Sequence, residues 1–240
     1  LRDLPAAQVV APGFGASDCD CTAHLVYSPT VPTDDWFGQV LEAGRILMGR
    51  QELTELLSEL TSDHDRNREE TALALARFGD AAVEPLAALL RTGDVDSRWW
   101  AARALAEVGG EVAVSPLVGA LSDPDADVRA CAALALGQIG EGVACRALAA
   151  CLGDESTFVA SIAADALTMI GESAVEALIE MITAESSHVR LLVVRALARI
   201  KSERAIASLF GMLEDPSYLV RFYAQEALEA LGMGMVFLAP

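Results

Sequence analysis

The sequence predicts an all-α solenoid of stacked helix pairs, on three observations. An anchor residue recurs as Arg68, Arg98, Arg129, Arg190 and Arg221, with Ala160 in the remaining place, so the spacings are 30, 31, 31, 30 and 31 residues. A leucine stands seven residues after every anchor (Leu75, Leu105, Leu136, Leu167, Leu197, Leu228), and a glycine stands eleven after all but one (Gly79, Gly109, Gly140, Gly171, Gly232; Lys201 is the exception). Apolar residues make up 53 % of the 240-residue chain but aromatics only 5 %, so alanine and leucine carry the core, which suits closely packed helices and not a β-sandwich. A fixed period of roughly 20–50 residues marks units that bury their apolar face only by stacking on neighbours.

The elements follow in order. Residues 1–32 are punctuated by proline and glycine, with short β-like stretches at 7–10 and 24–27, and are expected to form an irregular arm. Thr33-Asp34-Asp35 reads as a helix cap, with Trp36, Phe37, Val40, Leu41 and Gly44 on one face beyond it, so 33–50 is expected as a capping helix over the first repeat. Six helix pairs are expected over 51–79, 80–109, 110–140, 141–171, 172–201 and 202–232, with a tail at 233–240.

The third unit shows the grammar of all six. Val112, Val114, Leu117, Val118 and Leu121 form a helical stripe, with Pro116 placed in or near the first turn, where its missing amide proton costs little. Ser122-Asp123-Pro124-Asp125 breaks that helix and caps the next. The second helix is expected from about Ala126 to Ile139, burying Val128, Ala132, Ala135, Leu136 and Ile139, and Gly140 ends it in the left-handed conformation. Ala74, Ala104, Ala135, Ala166, Ala196 and Ala227, six after each anchor, let neighbouring helices approach closely.

The stretch from Asp123 to Gly140 (DPDADVRACAALALGQIG) resembles a HEAT repeat of the short bacterial type found in phycobilisome-lyase-like proteins, and the resemblance covers about three quarters of the chain. It implies a right-handed, armadillo-like superhelix with first helices on the convex side and second helices lining the concave side.

The net charge of −18 repels phosphate backbones and anionic lipid surfaces, so neither nucleic acid nor membrane is an expected partner. The acidity keeps an alanine-rich stack soluble, and a basic partner is the sharper reading. No signal segment and no apolar stretch of roughly 18 residues stands out, and five scattered cysteines form no disulfide framework, so a soluble, cytoplasmic monomer is expected. The chain begins at Leu1 without methionine, as a trimmed chain or a fragment of a longer one does.

The candidate sites are surfaces. The arginine ladder (Arg68, Arg98, Arg129, Arg190, Arg221) is expected to staple repeats through Asp65, Asp96, Asp127 and Asp215, with Ala160 leaving the loosest junction. Helical-wheel geometry turns the positions one, five and eight after the anchor away from the core. Those are the positions that vary most between copies, and they bring Glu69, Trp99, Arg103, Leu134, Asp165, Leu191, Arg195, Phe222 and Glu226 onto the expected partner-binding concave face. Trp100 and Tyr223 are expected to pack on the next repeat. Residues 190–204 hold a local basic patch of Arg190, Arg195, Arg199, Lys201 and Arg204, fit either for an acidic ligand or for offsetting a helix C-terminus.

No His-Glu pair or other metal spacing joins His24, His64 and His188, unlike the repeated His-Glu ligands of HEAT-like deoxyhypusine hydroxylases. Cys19, Cys21 and His24 are at most a soft metal trap in the arm, and Cys131, Cys145 and Cys151 read as buried thiols. No catalytic constellation, metal or cofactor is expected. The leading reading is a non-catalytic scaffold for another protein or peptide. The resemblance adds a phycobilin lyase or chromophore chaperone acting with a second subunit, and a regulatory domain of a larger signalling chain is the third.

Overall fold

A computed structural model of the chain describes residues 48–62 and 67–233. The expected arm, most of the expected capping helix, Asp65 and the residues beyond 233 lie outside these. Residues 48–60 are one unbroken helix, α1, so nothing marks a boundary at residue 50. Eleven more follow: α2 (Arg68–Leu75), α3 (Asp80–Thr92), α4 (Val95–Val108), α5 (Gly110–Ala120), α6 (Ala126–Ile139), α7 (Cys145–Ala150), α8 (Thr157–Ile170), α9 (Val175–Glu180), α10 (Ser187–Ile200), α11 (Ile206–Gly211) and α12 (Tyr218–Ala230). Short 3-10 turns extend α2, α7, α9 and α11. The described residues contain no strand.

Odd- and even-numbered helices form two layers of an α-solenoid with six helix pairs. The second helices, α2 to α12, pack on one another without interruption, whereas successive first helices touch sparsely. The stack is therefore tighter on the second-helix side. Two leucine ladders hold the layers together. The leucines seven after each anchor are at most 1 % exposed, and Leu86, Leu117, Leu148, Leu178 and Leu209 on the first helices are fully buried. Each contributes about 2 kcal/mol by leaving water. Helix α6, in the middle, is buried on several sides: Ala130, Cys131, Ala133 and Gly137 are covered as well as Val128, Ala132, Ala135 and Leu136 of its expected core stripe, while Ile139 at its end is half-buried.

The arginine ladder is a staple, but its acceptors differ from those expected. Arg98 forks onto Asp123 (2.7 and 2.9 Å), Arg129 onto Asp154 (both 2.9 Å) and Arg190 onto Asp215 (2.6 and 3.1 Å). The acceptor is the aspartate 25 residues on, which opens the turn of the following repeat. Asp123, Asp154 and Asp215 are pre-oriented because each also accepts the backbone N–H two residues later. Of the expected acceptors, Asp215 alone holds that place. Asp127 is exposed and pairs with no ladder arginine, and Asp96 lies 4.0 Å from Arg68. Arg68 has Gly93 at its forward place and bonds the Ser62 carbonyl, while Arg221 bonds the carbonyls of Asp215 and Pro216.

Between α8 and α10 the staple is missing, with buried Ala160 and exposed Glu185 in the two places. The links across this junction, Arg199–Asp165 and Arg146–Glu180, are solvent-exposed. Exposed pairs contribute little. Backbone amides of α8 and α10 should therefore exchange with deuterium faster than those of α4 and α6, measured by native-state exchange. Equal protection would show that the staple does not set local stability.

Helix ends repeat the sequence grammar with three corrections. Pro116, like Pro85 one repeat earlier, sits in the second turn of its helix because α5 starts at Gly110, so each helix forgoes an internal hydrogen bond. Asp94 and Asp125 cap α4 and α6 through Ser97 N–H and Val128 N–H, but Ser156, Ser186 and Ser217 make no side-chain cap. Gly140 ends its helix in the left-handed region (φ 78°, ψ 9°), whereas Gly79, Gly109 and Gly171 combine positive φ with extended ψ, which glycine alone enters readily. Lys201 is left-handed at φ 58°, ψ 39°, with a side chain that disfavours it. Lys201→Gly should raise stability by about 0.5 kcal/mol in urea unfolding, the relief of strain exceeding the lost helix-dipole charge.

α12 presents a polar edge. Four and eight residues after the anchor, earlier repeats carry Ala72, Ala102, Ala133, Ala164, Val194 and then Ala76, Ala106, Gly137, Thr168, Ala198. α12 has Gln225 and Glu229 there, hydrogen-bonded to each other at 2.9 Å.

Contrary to the expectation of no long apolar stretch, Thr157–Glu180 is long and apolar enough to cross a membrane by length and composition. It is not one rod: Gly171, at φ 77°, turns the chain between α8 and α9, and both bury their apolar faces in the stack.

Candidate functional site

The second-helix face opens into a hollow of about 490 Å³ across α4, α6 and α8. Val95, Trp99, Ala130, Leu134, Phe158 and Ile162 form its apolar surface, and Asp96, Arg103, Asp127 and Cys131 complete the lining. Val95 (44 %), Leu134 (39 %) and Phe158 (55 %) are strongly exposed for residues of their size. The Trp99 ring stands edge-on to Trp100 at 4.9 Å, and both indoles pack against the core on one side.

α6 and α8 approach each other closely near the hollow. At Gly137, near the C-terminal end of α6, an added Cβ would lie 2.7 Å from Ala166 Cα, so the two backbones nearly touch. The hollow is lined from residues that precede this contact on both helices, Asp127 to Leu134 on α6 and Phe158 and Ile162 on α8.

Arg103 is held by Glu69 at 2.6 Å and by Glu107 on its own helix. Cys131 donates weakly to the Trp99 carbonyl at 3.6 Å, and burial pushes its thiol up to about 12, so it is no nucleophile at neutral pH.

A larger cleft of about 720 Å³ lies in the first-helix layer between α3 and α5. Its charged groups are already matched: Arg91 pairs with Glu84 at 3.1 Å, and Arg98 and Asp123 belong to the staple. The hollow on α4, α6 and α8 is therefore the better candidate.

The family model for HEAT repeats matches residues 53–121, 86–168 and 146–229. The chain belongs to the HEAT-repeat family. No curated protein matches it. Among solved structures, this HEAT-repeat chain is similar to an engineered protein (26 % identity, 76 % of this chain and 97 % of that one, TM-score 0.45). A designed armadillo repeat protein in complex with the peptide (KR)4 is 23 % identical over 75 % of this chain and 99 % of its own, with a TM-score of 0.46. The complex of CpcE and CpcF of phycocyanin lyase from Nostoc sp. PCC7120 is 25 % identical over 74 % of this chain and 76 % of that one, with a TM-score of 0.43.

The structure brings together only part of the expected HEAT-repeat surface. Trp99, Arg103 and Leu134 share the hollow, and Glu69 joins through Arg103. Asp165 and Arg195 line a separate dent of about 70 Å³ between α8 and α10, where Arg199 pairs with Asp165. Leu191 packs against the core. Phe222 belongs to an aromatic cluster on α12 with Tyr218 (6.4 Å) and Tyr223 (5.3 Å), and Arg195 lies over the Tyr223 ring at 5.6 Å. Glu226 is exposed on the same helix.

The basic patch at 190–204 is largely consumed: Arg190 takes Asp215, Arg199 takes Asp165 and Arg204 takes Glu176. Among the described residues, no three His, Cys, Asp or Glu side chains are placed to hold a metal, and Cys19, Cys21, His24 and His64 lie outside them.

Val95 and Phe158 were missed by the sequence reading, and Asp96 and Asp127 were assigned to the staple rather than to this face. Val95, Trp99 and Arg103 step by four, so extending the exposed stripe one turn towards the helix start reaches the missed positions.

Proposed function

We propose that this chain is a binding scaffold, without chemistry of its own, that holds a polypeptide segment of a partner protein on its second-helix face, in the hollow of α4, α6 and α8. One observation carries this reading: three exposed apolar side chains, Val95, Leu134 and Phe158, flank a half-buried tryptophan in a single concavity. Clustered exposed apolar surface in a concave site is where binding energy concentrates, with tryptophan a common anchor. The remaining expected positions, Asp165, Leu191, Arg195, Phe222 and Glu226, contribute at most through a longer partner running along the face.

The test is affinity capture from native lysate with wild type and with Leu134→Ala/Phe158→Ala. The double variant should lose at least about tenfold of the captured partner, since each anchor contributes on the order of 1 kcal/mol or more. Its circular dichroism and melting should be unchanged, because both side chains are exposed. Undiminished capture by the folded variant would reject the hollow. Visible absorbance on adding a linear tetrapyrrole would point instead to chromophore handling.

A further inference from the structure

Resting on that reading, we propose that the hollow recognises an arginine side chain carried by an otherwise apolar segment of the partner. Asp96 and Asp127 occupy the same place, two residues before the anchor, on successive second helices, and both line the hollow. Both are exposed, and neither is used by the staples beside them, because Arg98 takes Asp123 and Arg129 takes Asp154. The nearest ladder cation to Asp96 is Arg68 at 4.0 Å, with the Asp96 side chain still 81 % exposed.

Trp99 lies one turn beyond Asp96 and lines the same concavity, with its ring set by the edge contact to Trp100. Arg103, the one cation among the described lining residues, already has two carboxylates, Glu69 and Glu107. The hollow thus keeps an excess of acid within a chain of net charge −18.

Two exposed carboxylates outside the staples, beside a half-buried indole, fit a guanidinium better than an ammonium. The planar group can lie on the ring and still donate, in plane, to acids on either side, whereas lysine is a strongly hydrated point charge. The same place in later repeats is Phe158, His188 and Leu219, so the acids end at α6 and an apolar surface begins at α8. The arginine is therefore placed over α4 and α6, and an apolar neighbour of it over Leu134 and Phe158.

The experiment is selection of a displayed random library of peptides about twelve residues long, long enough when extended to span three helices. Wild-type protein serves as bait, and affinities for the enriched peptides are then measured by fluorescence anisotropy. The expected consensus holds an arginine next to large apolar residues. Replacing that arginine by citrulline, or the bait by Asp96→Asn/Asp127→Asn, should weaken binding about tenfold or more, the loss of a charge-assisted pair. Leu134→Ala/Phe158→Ala should weaken both arginine and citrulline peptides.

Enriched peptides that lack arginine, or that bind the Asn variant as well as wild type, yet depend on Leu134 and Phe158, overturn the arginine assignment and leave the hollow standing. A lysine consensus that tolerates arginine poorly overturns it too. No enrichment, or binding indifferent to all four residues, overturns both proposals.

Discussion

Arg129→Ala should lower the stability of the stack by about 3 kcal/mol, measured by urea unfolding followed by circular dichroism. The Arg129 and Asp154 side chains are only 8 % and 11 % exposed. The guanidinium also donates to the carbonyls of Asp123 (2.8 Å) and Pro124 (3.2 Å), so its loss strands a covered carboxylate and two backbone acceptors together. Arg146→Ala is the control. Its partner Glu180 is at 2.9 Å, but the two side chains are 80 % and 50 % exposed, and the change should stay under about 0.5 kcal/mol. Equal effects from the two substitutions would show that the ladder is surface decoration.

The staple also makes the fold acid-sensitive. The Arg129 hydrogen bonds hold the Asp154 carboxyl below its ordinary range, and Arg190 does the same for Asp215. Burial is the largest single influence on Asp123 and opposes its ionisation, but the Arg98 hydrogen bonds, the Asp125 N–H and the charges of Arg98 and Arg129 together outweigh it. A carboxyl whose folded pKa lies below its unfolded value, about 4, binds its proton more readily when unfolded. Its stabilisation is complete above that value and disappears as pH falls through the folded one. Stability should thus be flat from neutral pH to about 5 and fall below about 4, and Arg129→Ala should fall less steeply because Asp154 no longer contributes.

How much of this could be read from the chain depends on whether the signal was local. The leucine seven after each anchor and the glycine eleven after it reflect constraints within one helix, and they translate directly into buried side chains and positive φ. The staple acceptors are set across repeats. Asp123, Asp154 and Asp215 differ from Asp127 only in which turn position faces the preceding arginine, and spacing does not show that until the helices are packed. Wheel geometry identified Trp99, Arg103 and Leu134 from one helix at a time. It could not separate them from Leu191 and Phe222, because which exposed positions converge depends on where neighbouring helices spread.

The position eight after the anchor shows the same limit and leads to the second large effect. It lies on the outward stripe of the wheel, yet Gly137 there is buried in the α6–α8 seam. An interior helical glycine replaced by alanine ordinarily gains about 1 kcal/mol. Gly137→Ala should instead destabilise by about 2 kcal/mol, because the new methyl would meet Ala166 Cα at 2.7 Å and its Cβ at 2.8 Å. Neither atom has a rotamer to swing aside, so the helices must separate and lose dispersion contacts along their length. Adding Ala166→Gly removes the Cβ clash and keeps the Cα clash, so the double variant should recover only part of the loss. A stability gain in Gly137→Ala would mean that the helices are farther apart than described. Separation at this end also tilts α8 relative to α6 and so changes the spacing between Phe158 and Leu134. The same substitution should therefore weaken peptide binding in the hollow without touching a residue that lines it, and a destabilised variant with unchanged affinity would show that the shape of the hollow does not depend on this seam.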